Sequence, residues 1–415
     1  MKLGQGRLAR RGGFLLLVLA LALAGWFHWR TTAPAAERGP IVVGLIHALS
    51  GPTARGESSQ VAAARLAVEE INASGGLLGR RVELRVEDSR GDARTAAAAA
   101  ERLITSERVV ALFGCGSAQC RQAVKPVVEA HRHLLFFPAA YEGMEASPHI
   151  VYTGPAPNQQ ALPATDWAMR GFGRRVYLIG TDGAYARRLA ALLGDFIALQ
   201  GGQVLGERYL PPGGRDVGGI MADLMKLQPE LVISTVAGDS NQALFDALVT
   251  AGLTDLPLLS LGAAEPEMRA FERGRLDRHF TAWGYLQSLP GEANESFVAR
   301  LRRSQGDSIE ASDPAVSTYV AFQLWAAAVR EVGSARTDAV NANVVHQSVT
   351  APMGFAAVEG QTRHLWRQLR IAQVKPGGQL AEVYTLPRYI RPEPWPTYRS
   401  TEHWTAVMSR VGVQP

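Results

Sequence analysis

From residue 41 onward, short apolar runs alternate along this chain with longer segments whose apolar residues recur at helical spacing. After the first run, "IVVGLIH" (41–47), Val61, Ala64 and Val68 recur every three or four residues, which is typical of an amphipathic helix. The pattern predicts strands at 41–47, 81–88, 109–114, 133–138, 175–181, 203–210, 230–236 and 256–261, and helices at 59–76, 92–106, 119–130, 184–200, 215–227 and 240–252. Such alternation is characteristic of parallel sheets with helices on both faces.

The alternation stops near "GPAPNQQALP" (154–163) and then starts again, which predicts two similar lobes. A third section has predicted helices near 291–305, 313–333 and 338–349, followed by a hairpin-like stretch. Too few strands remain there for a third sheet, so we expect the chain to return to the first lobe and then to the second. A length of 415 residues, 47% of them hydrophobic, suits two such lobes. The predicted fold class is therefore α/β, with two doubly wound parallel-sheet lobes.

The first 36 residues carry an export pattern. A basic segment, "MKLGQGRLARRGG", precedes 14 apolar residues, "FLLLVLALALAGWF", whereas a helix that spans a bilayer needs about 20. We therefore predict a signal peptide that is cleaved after Ala24 or Ala35, with an uncleaved anchor as the alternative. In either case the body of the protein would lie outside the cytoplasm, in a bacterial periplasm.

The positive net charge of +5 comes from this N-terminal segment. Five of the 43 lysines and arginines precede Glu37, the first acidic residue, and the rest of the chain has as many basic as acidic residues. A neutral body gives no reason to expect a nucleic-acid partner.

Small and polar residues follow nearly every predicted strand. In open α/β sheets, ligands bind beyond the carboxyl ends of the strands. Each loop leads into a predicted helix, whose first N–H groups can hold a carboxylate or carbonyl oxygen. Helix capping would explain one such loop, but six of them across two lobes predict a ligand-binding cleft. The six loops are "HALSGPTARGE", "GCGSAQC", "AAYEG", "TDGAYAR", "AGDSN" and "GAAEPE".

The chain has two cysteines, Cys115 and Cys120, and both lie in the second of these loops. Two thiols without further ligand residues nearby make a poor zinc site, so no metal is expected. No Gly-x-Ser-x-Gly elbow supports a nucleophile, and the spacing is looser than the Cys-x-x-Cys redox motif. A structural disulfide is an open alternative in an oxidising compartment. We favour a ligand-binding loop in which N–H groups of 116–119 and the Ser117 hydroxyl face the cleft.

Between about residues 41 and 398 the chain resembles the periplasmic solute-binding proteins of branched-chain amino acid transporters, especially the urea- and short-amide-binding subgroup. The phrases that carry the resemblance are "GLIHALSGPTA", "AVEEINASGGLLGRRVE", "FGCGSAQCR", "PAAYEGMEASPHIVYTGPAPNQQALPA", "IGTDGAY", "STVAGDSN" and "RPEPWPTY". The resemblance implies a type I periplasmic binding protein fold, with three crossings between the lobes and a cleft that closes on a small solute. It also implies delivery of that solute to an ABC permease in the inner membrane.

The resemblance also suggests where the lobes begin and end. The first lobe is predicted at 37–158 and 286–352, and the second at 159–285 and 353–415. The crossings would then lie near 155–160, 284–290 and 350–356, and the protein is expected to be a monomer. Binding and delivery require no catalysis, so we expect no cofactor and no catalytic residue.

The chain departs from the subgroup's pattern at the pocket. Where relatives carry an aromatic residue and a serine in the first-lobe loop, this chain has Gly116 and Ala118, and Gly183 replaces a tyrosine. The aromatic residue before Pro138 is Phe137, which has no hydroxyl group. Glycines in place of aromatic rings would leave room, so we predict a solute larger than urea, with an amide or carboxylate head and an apolar part.

Nine ligand-binding residues are predicted, in three groups. The first group would bind an oxygen of the solute, the second would enclose its apolar part, and the third would accept its N–H groups. The groups are Ser117, Ala118, Ala139 and Tyr141; Phe137 and Tyr185; and Asp182, Asp239 and Glu265.

The predicted function is that of the extracytoplasmic substrate-binding component of an ABC transporter for a small amide-, urea- or amino-acid-like solute. Two alternatives remain open. A membrane-tethered sensor of the same fold would require the uncleaved anchor, and a thiol hydrolase would require a reactive Cys115 or Cys120.

Overall fold

The structure, a computed structural model, describes residues 39–269 and 278–411. The predicted signal peptide or anchor at 1–36 lies outside the described residues. In the compact unit that begins at Ile41, the strands form two separate sheets. The first sheet contains β1 (Ile41–His47), β2 (Val82–Asp88), β3 (Leu112–Gly114), β4 (Leu135–Phe137), β5 (Ile150–Tyr152), β11 (Ser348–Ala351), β12 (Gly354–Glu359) and β13 (His364–Leu365). The second contains β6 (Arg175–Thr181), β7 (Gln203–Leu210), β8 (Leu231–Thr235), β9 (Leu258–Ser260), β10 (His279–Trp283), β14 (Arg370–Val374) and β15 (Leu380–Thr385).

Both sheets are parallel at their centre and antiparallel at one edge. The first has the order β2–β1–β3–β4–β5–β13–β12–β11, with antiparallel pairing only at β12 and β11. The second has the order β7–β6–β8–β9–β10–β14–β15, with antiparallel pairing at β14 and β15. This confirms the predicted α/β class, and it confirms that the late strands complete the first sheet and then the second.

Helices cover both faces of each sheet because strand residues alternate between two cores. The helices are α1 (Ala54–Ala73), α2 (Ala93–Thr105), α3 (Ala118–Ala130), α4 (Ala161–Phe172), α5 (Ala184–Leu199), α6 (Gly218–Leu227), α7 (Ser240–Thr250), α8 (Glu265–Arg269), α9 (Glu292–Gln305), α10 (Asp313–Val332), α11 (Thr337–Asn343) and α12 (Thr401–Arg410). Leu45 packs in the core beneath α1, α9, α10 and α11, whereas the adjacent Ile46 packs in the core beneath α2 and α3. In the second sheet, α4, α5 and α12 cover one face and α6 and α7 the other.

The segment 338–365 differs from its prediction. The helix expected at 338–349 ends at Asn343, and β11 to β13 then extend the first sheet. Val349 and Thr350 are β-branched, and Gly354, with φ of +105°, closes a tight turn, so the segment forms a hairpin. The chain therefore passes to the second sheet after β13, later than the predicted crossing at 350–356. The other lobe boundaries stay predictions.

A buried ion pair joins the segments that connect the two sheets. Arg367, between β13 and β14, pairs with Asp313 at the start of α10, and both side chains are almost fully buried. Asp313 also accepts hydrogen bonds of 2.9 Å from the N–H groups of Gly284 and Tyr285, which follow β10. Arg367 donates to the carbonyl oxygen of Thr153, which follows β5. We call these five residues the crossing cluster, because they hold all three connections together.

Candidate functional site

A cavity of about 200 Å³ lies where the carboxyl ends of the parallel strands of the two sheets face each other. Its first wall is formed by loops that follow β1, β3 and β4, and its second wall by loops that follow β6, β8 and β9. All six loops singled out in the sequence contribute residues to these walls. The cavity is therefore in the position that parallel α/β sheets use for ligands.

Contacts across the cleft hold the two walls together. Arg55 of α1 forms an ion pair with Asp239 (Nε to Oδ1, 3.4 Å), and the Asp239 N–H donates to the carbonyl oxygen of Pro52 at 3.3 Å. Elsewhere, Arg188 of α5 forms an ion pair with Glu142, which follows β4, at 3.3 Å. The structure is thus a closed form, in which both lobes surround the cavity.

The loop after β3 forms the floor of the first wall. Cys115 and Cys120 are joined in a disulfide with α-carbons 5.3 Å apart, which ties the loop to the first turn of α3. The Ser117 side chain caps α3 by accepting a hydrogen bond from the Cys120 N–H at 3.2 Å, so its own hydroxyl proton is available to a ligand. The described residues contain no free cysteine, so the thiol-hydrolase alternative, which needed one, is contradicted.

Glu57, from the first turns of α1, fills the space beside this loop. A β-carbon at position 116 would lie only 2.2 Å from Cδ of Glu57, so the Glu57 carboxylate fits here because residue 116 is a glycine. Glu57 Oε2 accepts hydrogen bonds from His47 Nδ1 (2.9 Å) and the Ala48 N–H (2.8 Å), and Oε1 accepts one from the Thr53 hydroxyl (2.9 Å). The expectation that Gly116 leaves room for a larger solute is therefore wrong, because this chain fills that room itself.

The second wall begins at the loop between β6 and α5. Asp182 lies at the rim, where Arg187 Nε donates to it at 2.7 Å, and this hydrogen bond lowers the pKa of Asp182. Gly183 precedes α5, and a β-carbon there would approach the Gln119 amide at 3.0 Å, so this space is also partly occupied. Tyr185, in the first turn of α5, presents part of its ring to the cavity.

The loop between β9 and β10 supplies the second carboxylate of the cavity. Glu267 of α8 is 9% exposed, and its Oε2 accepts a hydrogen bond from the Ala264 N–H at 3.0 Å. Its Oε1 faces Gly56 across the cleft, where a β-carbon would lie 2.4 Å away. Burial raises the pKa of Glu267 to about 7. Beside it, Trp283 adds an apolar surface, since its indole N–H is already bound to the Ala263 carbonyl at 2.9 Å.

Helix N-termini also converge on the cavity. The first residues of α3 and α5 line it directly, and Ser312 and Pro314 bring the start of α10 to the same space. The first N–H groups of a helix have no intrahelical acceptor, and they carry the positive end of its dipole. The site therefore combines N–H donors, two carboxylates and an apolar surface, which can bind polar groups of opposite character on one small molecule.

Five of the nine predicted ligand residues line the cavity, and their role in binding stays a prediction. They are Ser117, Ala118, Ala139, Asp182 and Tyr185.

Two of the four other residues, Phe137 and Tyr141, belong to the core behind the first wall. Phe137 is fully buried and packs edge-on against Tyr152. Tyr141 donates a 2.7 Å hydrogen bond to Nε2 of His364, whose Nδ1 donates to the Thr362 carbonyl oxygen, and it stacks on Tyr152. Both predictions are corrected, because these rings point into the hydrophobic layer beneath α3 rather than toward the cleft.

The other two residues, Asp239 and Glu265, are acidic but do not line the cavity. Asp239 is held at the surface by its ion pair with Arg55. Glu265 is buried, its Oε1 accepts the Gln287 N–H at 2.8 Å, and its Oε2 has no partner among the described residues. Burial raises the pKa of Glu265 to about 8. Through its hydrogen bond to Gln287, Glu265 supports the connection after β10.

The sequence reasoning missed Glu57, Glu267 and Trp283 as cavity residues. Glu57 and Glu267 lie inside two of the quoted loops, "HALSGPTARGE" and "GAAEPE", so the loops were identified but not these side chains. Trp283 ends β10, a strand that the sequence pattern did not predict.

Within residues 39–269 and 278–411, no group of three or more His, Cys, Asp or Glu side chains could hold a metal ion. Over the same ranges, no helix has the length and apolar character that crossing a membrane requires.

Comparisons with known proteins agree with this architecture. The family model described as "Periplasmic binding protein domain" matches residues 41–401. The "Leu/Ile/Val-binding protein homolog 3" of Brucella melitensis biotype 1 is 24% identical over 341 residues, which cover 80% of this chain and 89% of that protein.

Solved structures show the same fold. A solute-binding protein of an ABC transporter from R. palustris, in complex with benzoate, is 19% identical and has a TM-score of 0.78, covering 86% of this chain and 99% of that one. The branched-chain amino acid transporter substrate-binding protein LivJ from Streptococcus pneumoniae, in complex with isoleucine, is 16% identical and has a TM-score of 0.71. That match covers 83% of this chain and the whole of the other.

Proposed function

Because this chain belongs to the periplasmic binding protein family, we propose that it is the extracytoplasmic solute-binding component of an ABC transporter. The observation that carries the proposal is the cavity between the two lobes, whose opposite walls are held together by contacts across the cleft. A solute that touches both walls stabilises the closed form, and a permease in the inner membrane can then recognise closure.

The chemistry of the walls favours an amide-, urea- or amino-acid-like solute. N–H groups at the starts of α3 and α5, with the Ser117 hydroxyl, bind an oxygen head of the solute. Glu57 and Glu267 accept its N–H groups, and Tyr185 and Trp283 cover its apolar part. The relatives described above are named for leucine, isoleucine and valine, or were solved with benzoate or isoleucine. Membership of the urea- and short-amide-binding subgroup therefore rests on the quoted phrases alone.

The closed form places limits on the size of the solute. A cavity of about 200 Å³ is larger than urea needs, although the spaces beside Gly116 and Gly183 are taken by Glu57 and Gln119. We therefore expect a solute of roughly amino-acid size. The family to which the chain belongs places the binding of this solute in the periplasm.

Thermal melting against a panel of solutes tests the proposal. The panel contains urea, short amides, branched-chain amino acids and aromatic carboxylates. A true ligand at 100 times its dissociation constant adds about 2.7 kcal/mol to the free energy of unfolding, which raises the melting temperature measurably. A rise with an amide or amino acid supports the proposed class, and a rise with urea alone would contradict the expected size. A rise with aromatic carboxylates alone would contradict the N–H-accepting role of the two glutamates.

A further inference from the structure

The disulfide between Cys115 and Cys120 encloses a row of backbone N–H groups that have no acceptor among the described residues. Residues 116–119, which lie between the two cysteines, all line the cavity, whereas the cysteines themselves belong to the core behind the first wall. The N–H groups of these four residues donate no hydrogen bond to another described residue. Such groups can bind a carbonyl or carboxylate oxygen of a ligand. We call residues 116–119 the donor loop.

Cys115 leads into the donor loop in a backbone conformation that must be held in place. Its φ of +68° lies in the left-handed region, which residues other than glycine seldom adopt. Its N–H donates to the Ile46 carbonyl oxygen at 2.8 Å, which fixes it to β1, and its side chain is bonded to Cys120 in the first turn of α3. Such a conformation persists only where the surrounding structure determines it. Without the S–S bond, Cys115 could therefore relax and turn the N–H groups of the donor loop away from the cavity.

Helix α3 is held in place by contacts other than the disulfide. Arg121 is fully buried and forms ion pairs with Glu142 (Nη2 to Oε1, 2.9 Å) and Glu145 (Nε to Oε1, 3.0 Å), which follow β4. Val124 and Val128 of the same helix pack in the core behind the first wall. Breaking the S–S bond would therefore release the donor loop without displacing the helix. An effect of the bond on solute binding can thus be separated from an effect on folding.

We propose that Cys115 and Cys120 are positioning residues, whose disulfide holds the donor loop in the conformation that binds the oxygen head of the solute. The bond limits the conformations of the empty loop, so less conformational entropy is lost when the solute binds. Solute affinity then depends on the oxidation state of the two cysteines. A dithiol that reduces the bond passes two electrons and two protons to it, which leaves two cysteine thiols and a disulfide on the reductant. The inference rests on the proposed function and adds a structural requirement for it.

Calorimetry on the oxidised protein, on the protein reduced with dithiothreitol and on the Cys115→Ala/Cys120→Ala variant tests the inference. The probe is L-leucine, or the panel solute with the largest rise in melting temperature if L-leucine gives none. We expect the dissociation constant to rise about tenfold in the reduced protein and in the variant, as for a loop that has its binding conformation one-tenth of the time. Dithiothreitol should not change the affinity of the variant, which is the matched control because it has no disulfide to reduce. Hydrogen exchange without solute should become faster at residues 116–119 and stay unchanged in β1 and in the second half of α3.

The outcomes separate the inference from the function on which it rests. Equal affinities of the oxidised and reduced proteins would overturn the positioning role and leave the solute-binding function intact. Weaker binding together with faster exchange throughout the first sheet would also overturn it, because the disulfide would then stabilise the lobe as a whole. If the oxidised protein binds no solute of the panel, the proposed function fails and the inference fails with it. If the variant does not fold, the reduced protein still provides the comparison.

Discussion

The crossing cluster and the cavity both bury acidic side chains, but only the crossing cluster pairs its carboxylate with an arginine. At the crossings, the charge of Asp313 is matched by Arg367, and both side chains are almost fully buried. In the cavity, Glu57 contacts His47, and Glu267 is nearly as buried without any ion pair among the described residues. A buried carboxylate that is paired with an arginine stabilises one arrangement of the lobes. A buried carboxylate without an ion pair indicates a place where a solute can complete the hydrogen bonding.

The largest expected effect is loss of the paired charge at the crossings. Asp313→Ala leaves Arg367 buried and removes the acceptor for two backbone N–H groups, so we expect the free energy of unfolding to fall by about 3–5 kcal/mol. Urea unfolding followed by circular dichroism measures it. Asp338→Ala, which breaks the exposed Arg336–Asp338 pair, is the matched control and should cost less than about 1 kcal/mol. Similar losses for the two variants would remove the distinction between the crossing cluster and ordinary surface pairs.

An intermediate effect on solute affinity is expected from pH, through Glu267, the cavity carboxylate that has no ion pair among the described residues. Burial raises the pKa of Glu267 to about 7, and a solute N–H group that donates to this carboxylate would lower it, so binding releases a proton. Affinity for such a solute should then be constant well above pH 7 and fall by up to about tenfold for each pH unit below it. The charged groups that act on Glu267 are Arg55 and Asp239 at the rim.

Calorimetry between pH 8 and 5.5, with the solute that gives the largest rise in melting temperature, measures this dependence. Glu267→Gln should flatten the profile, because no proton is then exchanged at that position. If the profile keeps its slope in that variant, the assignment of the pH dependence to Glu267 is wrong.

The smallest effect is expected at the rim, where the pair across the cleft is exposed. The Arg55 and Asp239 side chains are 57% and 48% exposed and 3.4 Å apart, so water and salt screen their attraction. Asp239→Asn should change both the free energy of unfolding and the free energy of solute binding by less than about 1 kcal/mol. Unfolding and binding measurements at low and high salt check this. A change in affinity above tenfold would make Asp239 a ligand residue, as the sequence had suggested.

The neighbouring acids of α8 show why the site was only partly predictable. Glu265 and Glu267 are two residues apart, and successive helical residues turn by 100°, so their side chains point about 200° apart around the helix axis. One reaches the Gln287 N–H in the interior, and the other reaches the cavity. The loop "GAAEPE" indicated an acidic residue at the cleft. Its residue types do not predict how a helix of five residues is rotated about its own axis, and this rotation decides which glutamate faces the cleft. Only packing against Gly56 on the other lobe decides that Glu267 is the cavity residue.

The sequence by itself determined the alternation of strands and helices, the two sheets, and the six loops at the carboxyl ends of their strands. These features follow from local periodicity and from turn residues, which act over short stretches of chain. The tertiary structure decided that Phe137 and Tyr141 are core residues and that the space beside Gly116 holds the Glu57 carboxylate. Each of these outcomes depends on contacts between segments far apart in the sequence or on the rotation of one element against another, and local patterns do not encode those quantities.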